Sequence, residues 1–372
     1  MVNYKYLTIG IGAYLVRLGQ RTIQVEGAPI ILTGANALNK VYGREVYTSN
    51  LQLGGTGIMS NNGITHLVAK NDLDGVLHTL KWLSFVPKLR NSPLPLHLTA
   101  DISDRAIDVE IPAGSYDPRS LIAGHEDSDG KWKAGFFDRN SFIETLAGWA
   151  KGVVVGRATL MGHPMGVIAT ESRSTEQTDF VDPSVETSQE HSTTQAGQVW
   201  YPNSAFKTAQ AIRDFNYGEQ LPLIIFANWR GFAGGQSEMH KEVLKYGADI
   251  VDALVDFKQP VFIYNIGELR GGAWVVLDPT INPEMMELYV SEDARGGVLE
   301  PPGVVEIKFR RPKIINAMNR LNKEYEELRL ETRNNPSAQD EFLALEKKLF
   351  PVFTHAALSF ADLHDRPGNI KA

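Results

Sequence analysis

The chain has 372 residues, 43% hydrophobic and 22% charged, an ordinary globular composition with enough length for one large or two moderate cores; two subdomains are expected. Its 37 basic and 44 acidic residues give a formal charge of −7, which argues against a non-specific polyanion binder, nucleic acid included, and leaves room for a local phosphate site. The absence of cysteine excludes a disulfide framework, a thiolate metal site and a cysteine nucleophile, and fits a cytoplasmic protein. No stretch reaches the roughly eighteen apolar residues of a membrane span, and residues 1–12 lack the charged start and long apolar centre of a signal peptide, so a soluble chain is expected.

From the N-terminus, Gly10, Ile11 and Gly12 open a short helical pattern that Gly19 closes. Residues 29–33 (PIILT) read as a buried strand, 35–42 as a short helix and 53–59 (LGGTGIM) as a glycine-rich loop. A strand over 66–69 precedes a helix over 72–86 that turns Leu73, Val76, Leu77, Leu80 and Leu83 inward until Pro87 ends it. Pro93, Pro95 and Pro112 break regular structure between 90 and 117, which puts a subdomain boundary near residue 100 and divides the chain into 1–100 and 101–372. Beyond it, 141–149 reads as a helix. Residues 153–158 and 166–170 read as a hairpin around Gly162-His163-Pro164, and the polar stretch 171–198 as a long surface loop whose acids need no function.

The chain is organised around 221–235, LPLIIFANWRGFAGG. The apolar run 223–227 is too short for a typical helix and reads as a buried strand ending at Asn228. Gly231, Gly234 and Gly235 follow, and then a helix over 237–257 with Met239, Val243, Leu244, Ile250, Val251, Leu254 and Val255 on one face. A glycine turn between strand and helix aims free N–H groups at whatever sits above the helix N-terminus, a geometry suited to stabilising an oxyanion. The turns at Gly10 and Gly231 are both candidates for such donors. Trp229, Arg230 and Phe232 are unusual among flexible glycines; the alternative is a packed crossover loop. Residues 260–264 read as a strand, 267–272 (GELRGG) as a third glycine turn, 273–277 as a strand or the start of a helix, and 298–309 as an extended stretch. The charged segment 312–349 reads as two outer helices separated at Pro336, with Leu321, Tyr325, Leu328, Leu343, Leu345 and Leu349 as a sparse seam for packing or a dimer surface.

Several longer phrases are more specific than any single glycine motif. GIGAYLVRLGQR, GREVYTSNLQLGG, WAKGVVVGRA, GQVWYPNSAFKTAQAI, NWRGFAGGQ, GELRGGAWVVLDPTIN and FADLHDR occur in this order, and together they resemble the carboxyltransferase domain of eukaryotic, fungal-like multidomain acetyl-CoA carboxylase. The resemblance implies an α/β crotonase-like ββα superhelix of two related subdomains, with an active site where one subunit's N-terminal subdomain meets the other's C-terminal one in a homodimer. It implies transfer of a carboxyl group from carboxybiotin, brought by a separate carrier domain, to acetyl-CoA to give malonyl-CoA for fatty acid biosynthesis. ATP would be used by the biotin carboxylase domain elsewhere in the full-length enzyme, and no metal is implied in this domain. By resemblance, Gly10 and Ile11 carry the thioester oxyanion hole, Arg230 holds the transferred or malonyl carboxylate, Gly271, Gly272 and Ala273 lie near biotin, and Tyr14, Trp229 and Phe232 wall the site. The biotin ureido group would take the methyl proton itself.

The sequence departs from the family pattern at Leu7, where an arginine is expected, and at Asn265-Ile266, where a longer proline-containing stretch is usual. The front half of the N-terminal subdomain has no counterpart, so a fragment or a shortened relative is expected. Its unpartnered elements over 30–80 are expected to be exposed or swapped with another chain, giving a dimer or aggregate. Two other functions stay open: another CoA-thioester enzyme of the same fold, although no acid or base is evident beside Gly10 or Gly231, and a non-catalytic interaction fragment. His66, His97, His125, His163, His191 and His240 show no metal-ligand spacing and are expected to have structural or surface roles. Glu238 and His240 stand two apart on a helix and face different directions, and His364 with Asp365 lacks the serine of a triad.

Overall fold

The structure, a computed structural model, describes residues 2–4, 8–89, 92–99, 101, 105–112, 114–179 and 181–370; Leu7 lies outside them. Strand Leu223–Trp229 is buried at all seven positions and lies inside a seven-stranded sheet. It pairs in parallel with His163–Thr170 on one side and Val261–Arg270 on the other. Met286–Val290 and Arg295–Gly297 continue the sheet in parallel beyond Val261–Arg270, and Val153–Leu160 and Ile143–Thr145 extend it antiparallel at the other edge. Burial on both faces explains the unbroken apolar run of the central strand. Ile225 packs with Ile168, Ile263, Ile212, Ile250 and Leu254 beneath helices Pro202–Asp214 and Val243–Val255, whereas Ile224 and Phe226 join Leu121, Ile122 and Phe137 on the opposite face.

A smaller parallel sheet joins Val2–Tyr4, Thr22–Val25 and Leu67–Ala69 over a core of Ile23, Val25, Ala28, Ala69 and Trp82. The helix over residues 35–42 occurs as Ala35–Tyr42, and the expected hairpin is longer than its apolar stretches, with Met161 and Gly162 at φ 51° and 78° making its two-residue turn. Among the described residues, no helix is long and apolar enough to cross a membrane.

Tertiary context overrides several local expectations. Residues 141–149 hold strand Ile143–Thr145 rather than a helix, because Thr145 pairs with Val155 and the positive φ of Leu146 and Ala150 turns the chain. The expected loop at 53–59 is two helical turns, Leu51–Gly54 and Thr56–Met59, and a Cβ on Gly54 would fall 1.9 Å from the Ile30 carbonyl oxygen; that glycine serves close approach. The strand expected over 29–33 is confined to Ile30–Ile31. Helix Asp72–Leu83 buries Gly75 and Trp82, and the five apolar residues expected inside are exposed.

Glu242, at φ 65°, splits the helix after the central turn into Gln236–His240 and Val243–Val255; Val243, Ile250 and Leu254 are buried, and Met239, Leu244 and Val255 are not. The stretch 171–198 carries a hairpin, Thr175–Asp179 with His191–Gln195, and its Glu171 is buried against Arg119 and Arg173. Residues 298–309 contain helix Pro301–Lys308, whose two prolines suit a first turn. The terminal segment is three helices, Arg311–Leu321, Lys323–Glu331 and Gln339–His364. Asn322 caps the second through Tyr325 N–H, and Pro336 falls in the turn before the third. Tyr325 is buried there, while Leu321 and Leu343 are exposed.

Candidate active site

The central strand runs past Asn228 to Trp229, whose indole is fully buried and stacks on Trp200 with centroids 4.1 Å apart. Trp229 therefore supports the site from behind. Gly231–Phe232 form a short parallel ladder with Val199–Trp200; Arg230 N–H donates to Gln198 O and Ala233 N–H to Trp200 O, both at 2.8 Å. The N–H groups of Arg230 and Ala233, on either side of Gly231–Phe232, thus hold the 198–200 segment and are not free donors of the turn.

Gly231, at φ 131°, faces the Arg270 carbonyl and Gly272 N, and a Cβ on Gly272 would meet the Phe232 ring at 2.7 Å. Two glycine segments 40 residues apart in the chain are thus pressed together, with Phe232 wedged between Gly272, Gly247 and Trp200. The 267–272 turn is narrower than expected: the strand continues through Arg270, Gly271 takes φ 54°, and Gly271–Val276 is helical, with Ala273 buried.

Two ion pairs frame this corner. Arg230, half exposed, donates from Nε (2.8 Å) and lies 2.7 Å away through Nη2 at the same oxygen, Glu300 Oε1. Arg270, buried, donates from Nε to Glu268 (2.6 Å) and from Nη1 to Asp365 (2.5 Å). Burial works against its charge, but the Asp365 and Glu268 carboxylates outweigh it and hold the guanidinium above its ordinary range. Asp365 is therefore a structural partner of Arg270. Sequence reasoning missed Glu300, which puts a carboxylate beside the Gly231 turn where none was expected; nothing local in GVLEPP marks it, because its partner is 70 residues away.

The other candidate corner lies at the start of helix Ile11–Leu18. Gly10 at φ 59° donates its N–H to Ile31 O and turns the chain into a helix with no side-chain cap and no acidic residue in its first turn. Such an N-terminus favours negative charge. Ile11 and Tyr14 are exposed, and Tyr14 and Arg17 line a cavity of about 470 Å³ with Ile30, Leu38, Leu53 and Met59. This helix packs on Thr8–Ile9 and Ile30–Ile31. Arg230, Phe232, Gly271, Gly272 and Ala273 meet in one corner; among the described residues no hydrogen bond or ion pair joins 10–18 to it, and the cavity that Tyr14 lines includes none of its residues.

Of the histidines considered above, His66 has structural work. His66 is buried, accepts from Thr22 N–H at Nδ1 and meets Asp214 at 3.3 Å through Nε2. No group of three or more His, Asp or Glu side chains among the described residues is arranged to hold a metal ion.

A largely parallel sheet flanked by helices, with glycine turns at its strand ends, agrees with the expected crotonase-like α/β fold. The transcarboxylase 12S subunit, whose crystal structure holds methylmalonyl-coenzyme A, shares the fold with a TM-score of 0.65 over 83% of this chain and 55% of that one, at 20% identity. Residues 7–372 match the carboxyl transferase domain family, and the chain belongs to it. It is 56% identical to acetyl-CoA carboxylase of Schizosaccharomyces pombe over 98% of its length and 56% identical to that of Saccharomyces cerevisiae over 98%. A mitochondrial acetyl-CoA carboxylase of Saccharomyces cerevisiae strain JAY291 is also 56% identical, over 96%. The chain spans 16 or 17% of the length of these relatives.

Proposed function

We propose that the chain carries the carboxyltransferase half-reaction of an acetyl-CoA carboxylase, moving a carboxyl group from carboxybiotin to acetyl-CoA to give malonyl-CoA. The observation that carries this reading is 56% identity to two acetyl-CoA carboxylases across 98% of the chain. The residues present suit the groups required: Gly271 and Gly272 let the chain pass close beside the Arg230–Phe232 segment, and the uncapped helix at Ile11 opens next to an apolar cavity. Bound biotin supplies the activated carboxyl group. The chain's own residues do the rest: Ile11 presents its backbone N–H to the thioester oxygen, Gly10, whose own N–H is committed to Ile31 O, turns the chain so that it can, Arg230 holds the carboxylate, Tyr14 and Phe232 wall the acyl group with Trp229 behind, and Gly271, Gly272 and Ala273 form the edge against biotin.

Residues 1–100 and 101–372 belong, in this reading, to the N- and C-terminal subdomains. In this reading a homodimer, which the family resemblance implies, brings one chain's Gly10 corner to its partner's Arg230 corner. The partners are the biotin carrier and biotin carboxylase domains named by the family resemblance. A cytoplasmic site fits the cysteine-free sequence; since a mitochondrial relative is equally similar, fractionation decides between the two compartments. The test of function is decarboxylation of malonyl-CoA by this chain with free biotin. Biotin-dependent loss of malonyl-CoA is expected; turnover indifferent to biotin, or no turnover with intact folding, overturns the reading for this chain.

A further inference from the structure

Arg230 is useful to a carboxylate only if its guanidinium is held with one edge outward, and nothing in the glycine turn itself holds it. The side chain is 51% exposed, and the backbone on either side is committed to Gln198 and to the Gly231–Phe232 ladder. What fixes it is Glu300, whose Oε1 lies 2.8 Å from Nε and 2.7 Å from Nη2. This contact uses the Nε–Nη2 side of the fork. Among the described residues nothing pairs with Nη1, so the Nη1–Nη2 end remains available for two parallel bonds to a carboxylate.

Glu300 is itself anchored. It occupies the N-cap of helix Pro301–Lys308, where two prolines stiffen the following turn. Arg270 Nη1 reaches the carbonyl oxygen of Leu299 at 3.4 Å, and Gly271 N–H donates to Val298 O at 3.1 Å. Arg270 is locked by Asp365 at the end of helix Gln339–His364. The 298–300 segment is thus clamped from the Gly271 side, while its one long polar side chain reaches across to Arg230. An ion pair this exposed adds little to stability, so stability does not account for so much backing.

We infer that Glu300 is a positioning residue that presents the Nη1–Nη2 edge of Arg230 to the carboxylate of a carboxylated acyl-CoA, with Arg270 and Asp365 as its anchor. The inference rests on the proposed carboxylate-holding role of Arg230. Its sign distinguishes it from simple electrostatics. Glu300 carries negative charge beside an anion site, so if charge were all that mattered, removing it would tighten malonyl-CoA binding. If Glu300 positions the guanidinium, removing the acceptor oxygen weakens binding despite the gain in positive potential.

The test measures binding of malonyl-CoA and acetyl-CoA by calorimetry to the wild-type chain, Glu300→Ala, Glu300→Gln and Arg230→Lys, with melting temperatures alongside. Expected are a loss of about tenfold in malonyl-CoA affinity for Glu300→Ala, no more than about threefold for Glu300→Gln, which keeps an acceptor oxygen, and unchanged acetyl-CoA affinity for both. In an Arg230→Lys background, Glu300→Ala should add nothing further. Tighter or unchanged malonyl-CoA binding by Glu300→Ala overturns the role of Glu300 while leaving that of Arg230 intact. Failure of the folded wild-type chain to bind malonyl-CoA overturns both. A Glu300→Ala chain that does not fold is judged on Glu300→Gln, for which a loss above tenfold or any gain counts against positioning.

Discussion

Arg157 and Glu219, 62 residues apart, form a buried two-pronged pair, Nε to Oε2 at 2.5 Å and Nη2 to Oε1 at 2.7 Å. The Arg157 guanidinium also lies over the rings of Trp82 and Phe215, at 4.3 and 4.9 Å, and Arg21 donates to Glu219 Oε1 at 2.6 Å. One carboxylate therefore neutralises two arginines and ties Trp82, under the small sheet, to the strand Val153–Leu160 of the large one. Removing it strands the buried positive charge of Arg157. Glu219→Ala should destabilise the chain by about 3–5 kcal/mol, whereas Arg157→Ala leaves Glu219 its Arg21 partner and should cost less. Urea unfolding midpoints for the two variants check the order; an Arg157 loss larger than the Glu219 loss contradicts it.

Lys207 is buried on helix Pro202–Asp214, its ammonium donating to the carbonyl oxygens of Leu146 and Trp149 at 2.9 Å and Ala150 at 3.4 Å. Burial pushes its pKa down from 10.5 to about 7, while the three carbonyls favour the charged form. Between pH 7 and 10.5 the unfolded chain then binds more protons here than the folded one, so this residue's contribution to stability rises with pH across that window and is smallest below about pH 7. The unfolding free energy of the wild type minus that of Lys207→Met should increase from pH 7 towards pH 10. Towards pH 10 the variant should be less stable by at least about 1–3 kcal/mol, because Trp149 O loses its donor. A difference that is flat or falls with pH shows that the lysine stays charged throughout.

The sequence was most legible where one local rule governs. The apolar run in LPLIIFANW has only one way to be satisfied, burial on both faces, and the turn around Gly162 follows from positive φ alone. Helix Asp72–Leu83 shows the limit: period identifies an apolar stripe, but which side is covered depends on neighbours, and here Trp82 goes inward while the leucine stripe stays outside. The glycines of the site were legible as turns, yet the partners that require them were not. Gly272 is needed because of Phe232, Arg230 is held by Glu300, and Arg270 by Asp365; the two ion pairs span 70 and 95 residues. Such pairings belong to topology, which no local window contains.

The exposed stripe has its own consequence. Leu73, Val76, Leu77, Leu80 and Leu83 lie on the outer side of helix Asp72–Leu83, each about half or more exposed. An apolar surface of this kind favours association. The chain should sediment with a concentration-dependent mass and bind an apolar dye. Leu77→Glu combined with Leu80→Glu should abolish much of the dye signal and leave the melting temperature nearly unchanged, since neither side chain contributes to the Ile23–Trp82 core. A compact monomer with no dye binding, or a large fall in melting temperature for the double variant, contradicts this account.

Arg230 supplies the sharpest test of chemistry against structure. Its pairing with Glu300 is exposed, so the pair adds at most about 1 kcal/mol to stability, and Arg230→Lys should leave folding almost unchanged. Lysine offers a point charge in place of the planar fork, so if Arg230 holds a carboxylate at the moment of transfer, the substitution removes a preorganised donor. The expected loss is on the order of 2–4 kcal/mol of transition-state stabilisation, roughly a hundredfold or more in rate. Rate and melting temperature should be measured together, in this chain and in a full-length carboxylase bearing the same change, so that a slow isolated chain does not mask the effect. If turnover stays near normal while the melting point falls, Arg230 is a partner for Glu300 and nothing more; if turnover collapses with the fold intact, the guanidinium is part of the machinery that moves the carboxyl group.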